Sequence, residues 1–278
     1  MCTKRDNSGA GEKRLVLPGE GGRTLLDLSV TSGLPLQAAE EDGSLQFHGE
    51  VAPVTADIRY RRDMLDVLYE PRGSGPEELY YMYRGVCRER DRELLRGHGL
   101  RYDVTVLRPG SVGSEYIKTA GHYHPVKPGT EMTYPEVYEV LHGCAHYLLQ
   151  TEPGEDGVDA ILIEAMPGDK VLIPPGYGHI TINPGPSFLV MSNWVASDFA
   201  SVYEPIFELG GGAYFELLRD GENEQYVVNP RYKPVPGFAT RPVEDLPQYG
   251  LVHGQPMYFS FLESPARFAF LTNPEDYF

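Results

Sequence analysis

His122 and His124 stand two residues apart, Glu136 follows after eleven more, and His179 sits in a stretch of the form G-x5-P-x-G-x2-H-x3-N that runs from Gly168 to Asn183. In an extended strand, residues i and i+2 share a face, so His122 and His124 project side by side. Glu136 arrives at the start of the next strand. His179 comes from a later one, behind the turn Pro174-Pro175-Gly176. Three nitrogens and one oxygen gathered from three strands suit a divalent first-row metal and leave positions open for a substrate. One such ion per chain is expected, and iron, manganese, nickel and zinc all satisfy the donor set. An HxH pair alone is more often a packing or surface feature. The co-occurrence of the two patterns carries the reading.

Strands must position these groups. From Leu100 onward short apolar runs are separated by Gly and Pro, at 102–107, 116–119, 136–141, 146–150, 160–164, 170–173, 179–182 and 188–191. Runs of this kind, about ten residues apart, predict an all-β barrel or jelly roll rather than alternating β/α units. Residues 100–232 are assigned to that barrel. Ahead of it, 14–99 read as an N-terminal segment of strands and a helix packing on the barrel. Within it Thr24–Val30, Ser44–His48 and Leu79–Arg84 suit strands. Ile58, Met64, Leu65, Leu68 and Tyr69 recur near a helical period that Pro71 stops. The charged stretch Arg88–Arg96 reads as a solvated helix or loop. Residues 1–13, small and charged, read as a disordered arm. The C-terminal extension, 233–278, is Pro-rich and regains an aromatic strand at Met257–Phe261; it wraps either the barrel or a partner subunit.

A formal net charge of −16 argues against a nucleic-acid partner, whose phosphates need a basic stripe to release counterions. No run is long and apolar enough to span a bilayer, and the polar stretch Met1–Arg14 is neither a secretory signal nor a membrane anchor. Cys2, Cys87 and Cys144 form no zinc knuckle or redox motif. A chain of 278 residues buries enough core to need no disulfide staple, and a cytoplasmic location fits that cysteine usage. His142 and His146 lie near the metal segment but read as core or surface residues. His48, His98 and His253 lack partners at useful spacing.

The paired motifs are those of the cupin superfamily, and their surroundings narrow the resemblance. Thr119-Ala-Gly-His-Tyr-His124, Pro135-Glu-Val-Tyr138, Met166-Pro-Gly-Asp169, Ile173-Pro-Pro-Gly-Tyr-Gly-His179 and Val228-Asn-Pro-Arg-Tyr232 together resemble the cupin-type phosphoglucose isomerases, first known from archaea. The likeness covers roughly Gly33 to Tyr232. It implies a cupin jelly-roll β-barrel, a metal-dependent and usually homodimeric protein, and reversible conversion of glucose 6-phosphate to fructose 6-phosphate. Residue by residue, it implies His122, His124, Glu136 and His179 as metal ligands. It also implies that Thr105, Thr119, Gly121 and Tyr138 hold the substrate phosphate. Tyr116 stands where the first motif usually has Gly, and the loop 125–135 is longer than usual. Family members carry a Tyr near the position of Trp194 and a His soon after, both close to substrate. Trp194 is therefore expected to face the site, although 195–203 contain no His.

An aldose–ketose isomerase must remove a proton from the carbon beside a carbonyl and stabilise the resulting enediolate. A metal on the sugar oxygens does the second job and a carboxylate the first. Glu136 is the expected base, with a metal-promoted hydride shift as the other route. Hydroxyls of Thr105, Thr119 and Tyr138 and the Gly121 amide suit a phosphate; taken alone, the two threonines would read as ordinary strand residues. Two further readings stay open: a cupin isomerase acting on another sugar phosphate, and a non-catalytic cupin that binds one. A metal-dependent oxygenase would leave the phosphate donors without a use.

Overall fold

The structure is a computed structural model that describes residues 16–18, 23–155, 157–218 and 225–278; the arm expected at 1–13 lies outside them. A four-stranded antiparallel sheet comes first: β1 (Val16–Pro18), β2 (Thr24–Asp27), β3 (Leu36–Ala39) and β4 (Leu45–Phe47), with the one-turn helix α1 (Ser29–Ser32) between β2 and β3. β5 (Asp57–Tyr60), β6 (Glu78–Tyr83) and α2 (Arg92–Gly97) lead into β7 (Leu100–Leu107) and the small hairpin β8 (Ser111–Val112) and β9 (Glu115–Tyr116). The barrel continues with β10 (Glu136–His142), β11 (Ala145–Thr151), β12 (Asp159–Ala165), β13 (Lys170–Ile173), β14 (Tyr177–Ile182) and β15 (Leu189–Ala196). Beyond it lie α3 (Glu204–Glu208), β16 (Tyr214–Glu216), β17 (Tyr226–Val228), β18 (Gly237–Arg241) and α4 (Met257–Glu263).

Two sheets enclose the barrel interior, one ordered β13-β10-β15-β7-β6-β5 and the other β14-β11-β12-β18. β15, last of the barrel strands, lies between β7 and β10. The segment after β9 runs beside β14 through bridges at Lys118–Ile182 and His122–His179. Strands distant in sequence thus become neighbours in two facing sheets, the connectivity of a jelly roll, so the fold is the all-β cupin barrel that the motifs imply. β5 and β6 lengthen one sheet, and β18 adds in parallel to the edge of the other.

Alternation along the strands gives the six-stranded sheet two buried faces. Leu107, Val140, Leu189 and Met191 join the barrel core with Tyr147, Leu149 and Ile180. Tyr102, Val104, Val106, Val137, Leu141, Val190 and Trp194 form a second core with residues of the N-terminal sheet and the C-terminal extension.

Three sequence expectations fail here. Residues 57–69 are not a helix: β5 pairs with β6, and two short 3-10 turns follow at 61–63 and 65–67. Ladder hydrogen bonds to β6 outweigh the local period, and the Asp63 carboxylate accepts the Tyr60 N–H at 3.1 Å as the strand ends. Of the run 116–119 only Tyr116 belongs to a strand, β9, and Lys118 makes a single bridge to Ile182. Met257–Phe261 is helical, because Met257, Tyr258, Ser260 and Phe261 are its buried residues and share one helix face.

That helix covers Trp194. The indole is fully buried, with ring centroids of Phe261 at 4.5 Å, Tyr102 at 4.9 Å and Tyr258 at 5.9 Å, and its N–H donates to the Met257 carbonyl at 3.3 Å. Trp194 therefore faces away from the cavity, and its neighbours Asn193 and Val195 line it. A one-residue step along a strand reverses the face. The extension thus packs on this chain's own barrel, anchored by a buried ion pair. Lys170 Nζ lies 2.9 Å from Glu139 Oε1 and donates to the Gly168 and Val252 carbonyls at 2.8 Å. Glu139 Oε2 accepts the Met257 N–H at 2.9 Å. Among the described residues Cys87 is a free, buried thiol, while Cys144 is disulfide-bonded, which the sequence reading did not call for.

Candidate active site

Glu136 opens β10 between Ile173 and Val195 of the flanking strands. His179 lies on β14, His122 is bridged to it, and His124 follows as the chain leaves for loop 125–135. One potential ligand atom from each lies within 4.8 Å of all the others. His124 Nε2 is 3.2 Å from His122 Nε2 and 3.3 Å from Glu136 Oε2; His179 Nε2 is 3.2 Å from that same oxygen.

Hydrogen bonding and burial fix what these atoms present. The Tyr134 carbonyl, 2.8 Å from His124 Nδ1, can only accept, so Nδ1 carries a proton and Nε2 is the nitrogen whose lone pair is placed to meet a cation. Burial pushes the His122 and His179 imidazoles down from their usual range; His179 and His124 reinforce it at His122, while Glu136 opposes it at His179. Burial alone would raise the Glu136 carboxyl, but the close imidazoles of His124 and His179 hold it well below the usual range. Asn193 Nδ2 donates to Glu136 Oε1 at 2.6 Å, while Oε2 is buried without a hydrogen-bond partner. Imidazole lone pairs and an unsatisfied carboxylate oxygen thus converge, an arrangement that a cation resolves. The donor set fits a divalent metal, with the Tyr134 carbonyl and Asn193 orienting two of its members.

The same cavity, of about 390 Å³, is lined by these four residues and by Thr105, Thr119, Gly121 and Tyr138. Val195 is beside Glu136, Asn193 beside Tyr138 and Met191 beside Thr105. Four strand residues therefore separate Thr105 from Glu136 along the sheet, roughly 13 Å. Tyr138 sits between them, its hydroxyl 3.1 Å from His179 Nε2. Thr119 Oγ1 accepts the Thr181 N–H at 2.9 Å, so its own proton remains available as a donor.

Sequence reasoning missed several wall residues. Asp103 and Asn193 share the inward face with Thr105 and Met191, a parity that Thr105 alone already specified. Tyr80 comes from β6, outside the segment assigned to the barrel. Phe199 and Tyr203 come from a stretch after β15 that folds back over the cavity, paired through Val202 with Tyr123. Phe199 stacks on Tyr134 at 4.9 Å and lies 4.7 Å from the His124 ring. Of the other histidines, His146 pairs with Glu216 and His253 with Asp169, each at 2.9 Å, and neither joins the metal group.

Gly121 holds its turn at φ +77°, and a Cβ there would lie 2.5 Å from Ile180 Cγ1 and 2.9 Å from Ile206 Cδ1. Gly121→Ala is expected to cost about 1–3 kcal/mol of stability, read by chemical denaturation. A loss below about 0.5 kcal/mol, the scale of an ordinary surface change, would mean that the turn is not constrained as described.

The family model described as glucose-6-phosphate isomerase (GPI) matches residues 60–234, more than half of the chain. The chain is 37% identical over 136 residues to a glucose-6-phosphate isomerase of Thermococcus litoralis, an alignment covering 48% of this chain and 65% of that one. It is 36% identical over 135 residues to that of Pyrococcus abyssi, with the same two coverages. The chain thus spans somewhat less than two thirds of these relatives' own length. Solved structures overlap more loosely. A Bacillus subtilis oxalate decarboxylase with Mn(II) centres has TM-score 0.34 and 16% identity, over 56% of this chain and 33% of that one. Vicilin from Corylus avellana has TM-score 0.32 and 13% identity, over 47% and 32%.

Proposed function

Because the chain belongs to the glucose-6-phosphate isomerase family, we propose that it interconverts glucose 6-phosphate and fructose 6-phosphate, with His122, His124, Glu136 and His179 holding one divalent metal ion. The observation that carries this is a single cavity lined by both the four-ligand group and the hydroxyl and amide donors of Thr105, Thr119, Gly121 and Tyr138. When bound, the ion supplies Lewis acidity to the sugar oxygens. The protein's own residues do the rest. Thr105, Thr119, Gly121 and Tyr138 bind the phosphate. Glu136, its Oε1 tied by Asn193, takes the proton from C2 of the aldose and returns it to C1, while the hydroxyl proton on O2 passes to O1. Burial keeps the Tyr138 hydroxyl protonated well above its usual range, so it stays a donor toward the phosphate. Phe199 and Tyr203 close the cavity from above and limit water.

Iron, manganese, nickel and zinc are the candidate metals. A homodimer and a cytoplasmic location belong to the same reading and rest on the family resemblance. No described helix is long and apolar enough to cross a membrane.

The test is metal analysis of the purified protein, followed by an isomerase assay after chelation and after reconstitution with each metal. Activity should vanish with the metal and return with at least one of the four. Absence of fructose 6-phosphate from metal-loaded protein would refute the substrate assignment. Proton exchange beside the carbonyl of another sugar phosphate, followed by NMR, would then redirect it.

A further inference from the structure

The phosphate donors named above are uncharged, whereas a phosphate monoester carries about −1.5 to −2 near neutral pH. The chain itself carries −16, so a dianion entering this cavity needs local positive charge. Two arginines on the cavity wall are committed: Arg84 pairs with Asp57 at 3.3 Å and Arg101 with Asp103 at 2.9 Å. Arg59 is different. It lies on β5 directly across from Tyr80 of β6, so the two side chains share the inward face of the sheet. Its guanidinium carbon is 5.9 Å from the Tyr80 ring centroid and 5.7 Å from that of Tyr203, both cavity-lining residues. Among the described residues it has no ion-pair partner.

Tyr80 connects this cation to the phosphate donors. Its hydroxyl is buried and accepts the Ala120 N–H at 3.2 Å, which sets it against the turn formed by Thr119 and Gly121. With that lone pair engaged, the hydroxyl's own proton has no acceptor among the described residues and is free to meet an anion in the cavity. Arg59 is not itself among the residues that line the cavity; it stands behind the Tyr80 and Tyr203 rings, where its permanent positive charge acts on an anion bound in front of them.

We propose that Arg59 supplies the positive charge at the phosphate end of the cavity, with Tyr80 as the hydroxyl between it and the Thr119–Gly121 turn, which makes the site selective for a phosphorylated over a neutral sugar. The proposal deepens the isomerase reading and rests on it for the identity of the sugar.

The experiment titrates inorganic phosphate into metal-free, full-length wild type, Arg59→Gln and Arg59→Lys by calorimetry at two ionic strengths, with displacement by glucose 6-phosphate marking the site. Arg59→Gln should weaken phosphate binding at least about ten-fold and flatten its salt dependence. Arg59→Lys, which keeps the charge, should retain most of both. KM for glucose 6-phosphate should follow the same order in the metal-loaded proteins. Wild-type affinity in Arg59→Gln, or equal losses in the two variants, overturns the proposal. So does a wild type that binds no phosphate, which removes the isomerase reading as well. Phosphate binding that depends on Arg59 in a protein without isomerase turnover supports the anion site and overturns only that reading. Should Arg59→Gln fail to fold, Arg59→Met gives the same contrast.

Discussion

Glu136→Gln lowers kcat for isomerisation by about 10²–10⁴-fold, the range expected when a positioned general base is lost, and leaves phosphate binding as it was. The separation follows from the layout. Glu136 lies four strand residues along the sheet from Thr105, so neutralising it leaves the phosphate donors in place. The amide is isosteric and can still accept from Asn193, but its NH2 replaces the oxygen that faces the imidazoles. Metal affinity falls too, so the assay is run with the divalent ion in excess and with bound metal measured. Turnover within a few-fold of wild type at equal metal content would remove Glu136 from the role of base.

Lys170→Met destabilises the fold by about 3–5 kcal/mol at pH 8, because it leaves the buried Glu139 without its counter-charge. Burial pushes the Glu139 carboxyl up to about 7, against the pull of Lys170 and the Met257 amide. A carboxyl whose folded value lies above its unfolded one contributes most to stability at acid pH and loses that contribution as pH rises through the folded value. Without Lys170 the folded value climbs further. The variant therefore loses less at pH 5, where Glu139 is protonated, than at pH 8. Chemical denaturation at the two pH values reads the difference, and adding Glu139→Gln should return part of the loss at pH 8. A loss equal at both pH values would mean that charge burial is not its cause.

The metal group was legible because its residues are rare types at fixed spacings, and strands on both walls of the barrel are needed to satisfy those spacings. The barrel strands were legible for a related reason, since short apolar runs between Gly and Pro leave room for little else. Other elements were set by partners remote in sequence. Asp57–Tyr60 has residues at helical spacing around it, yet unpaired ladder groups on β6 draw it into the sheet. Met257–Phe261 carries aromatic residues that favour strands, yet the surface it must cover holds Trp194 and Tyr102, and a helix face presents Tyr258 and Phe261 to both. Trp194 was misplaced by one residue of register, which on a strand is the whole distinction between site and scaffold. The role of loop 125–135 was hidden for the same reason. Its Tyr134 carbonyl orients His124, and its Lys127 reaches Asn273 at 3.0 Å in the C-terminal extension.

Along β15, odd positions 191, 193 and 195 look onto the cavity, while 190 and 194 look onto the core beneath the extension. One strand is therefore read by two sets of constraints that share no side chain. Drift at even positions is answered by Tyr258, Phe261 and Phe268, drift at odd positions by the barrel core and the ligand, and neither need propagate to the other. A lineage can thus exchange the covering of this barrel wholesale while its chemistry stays under separate selection.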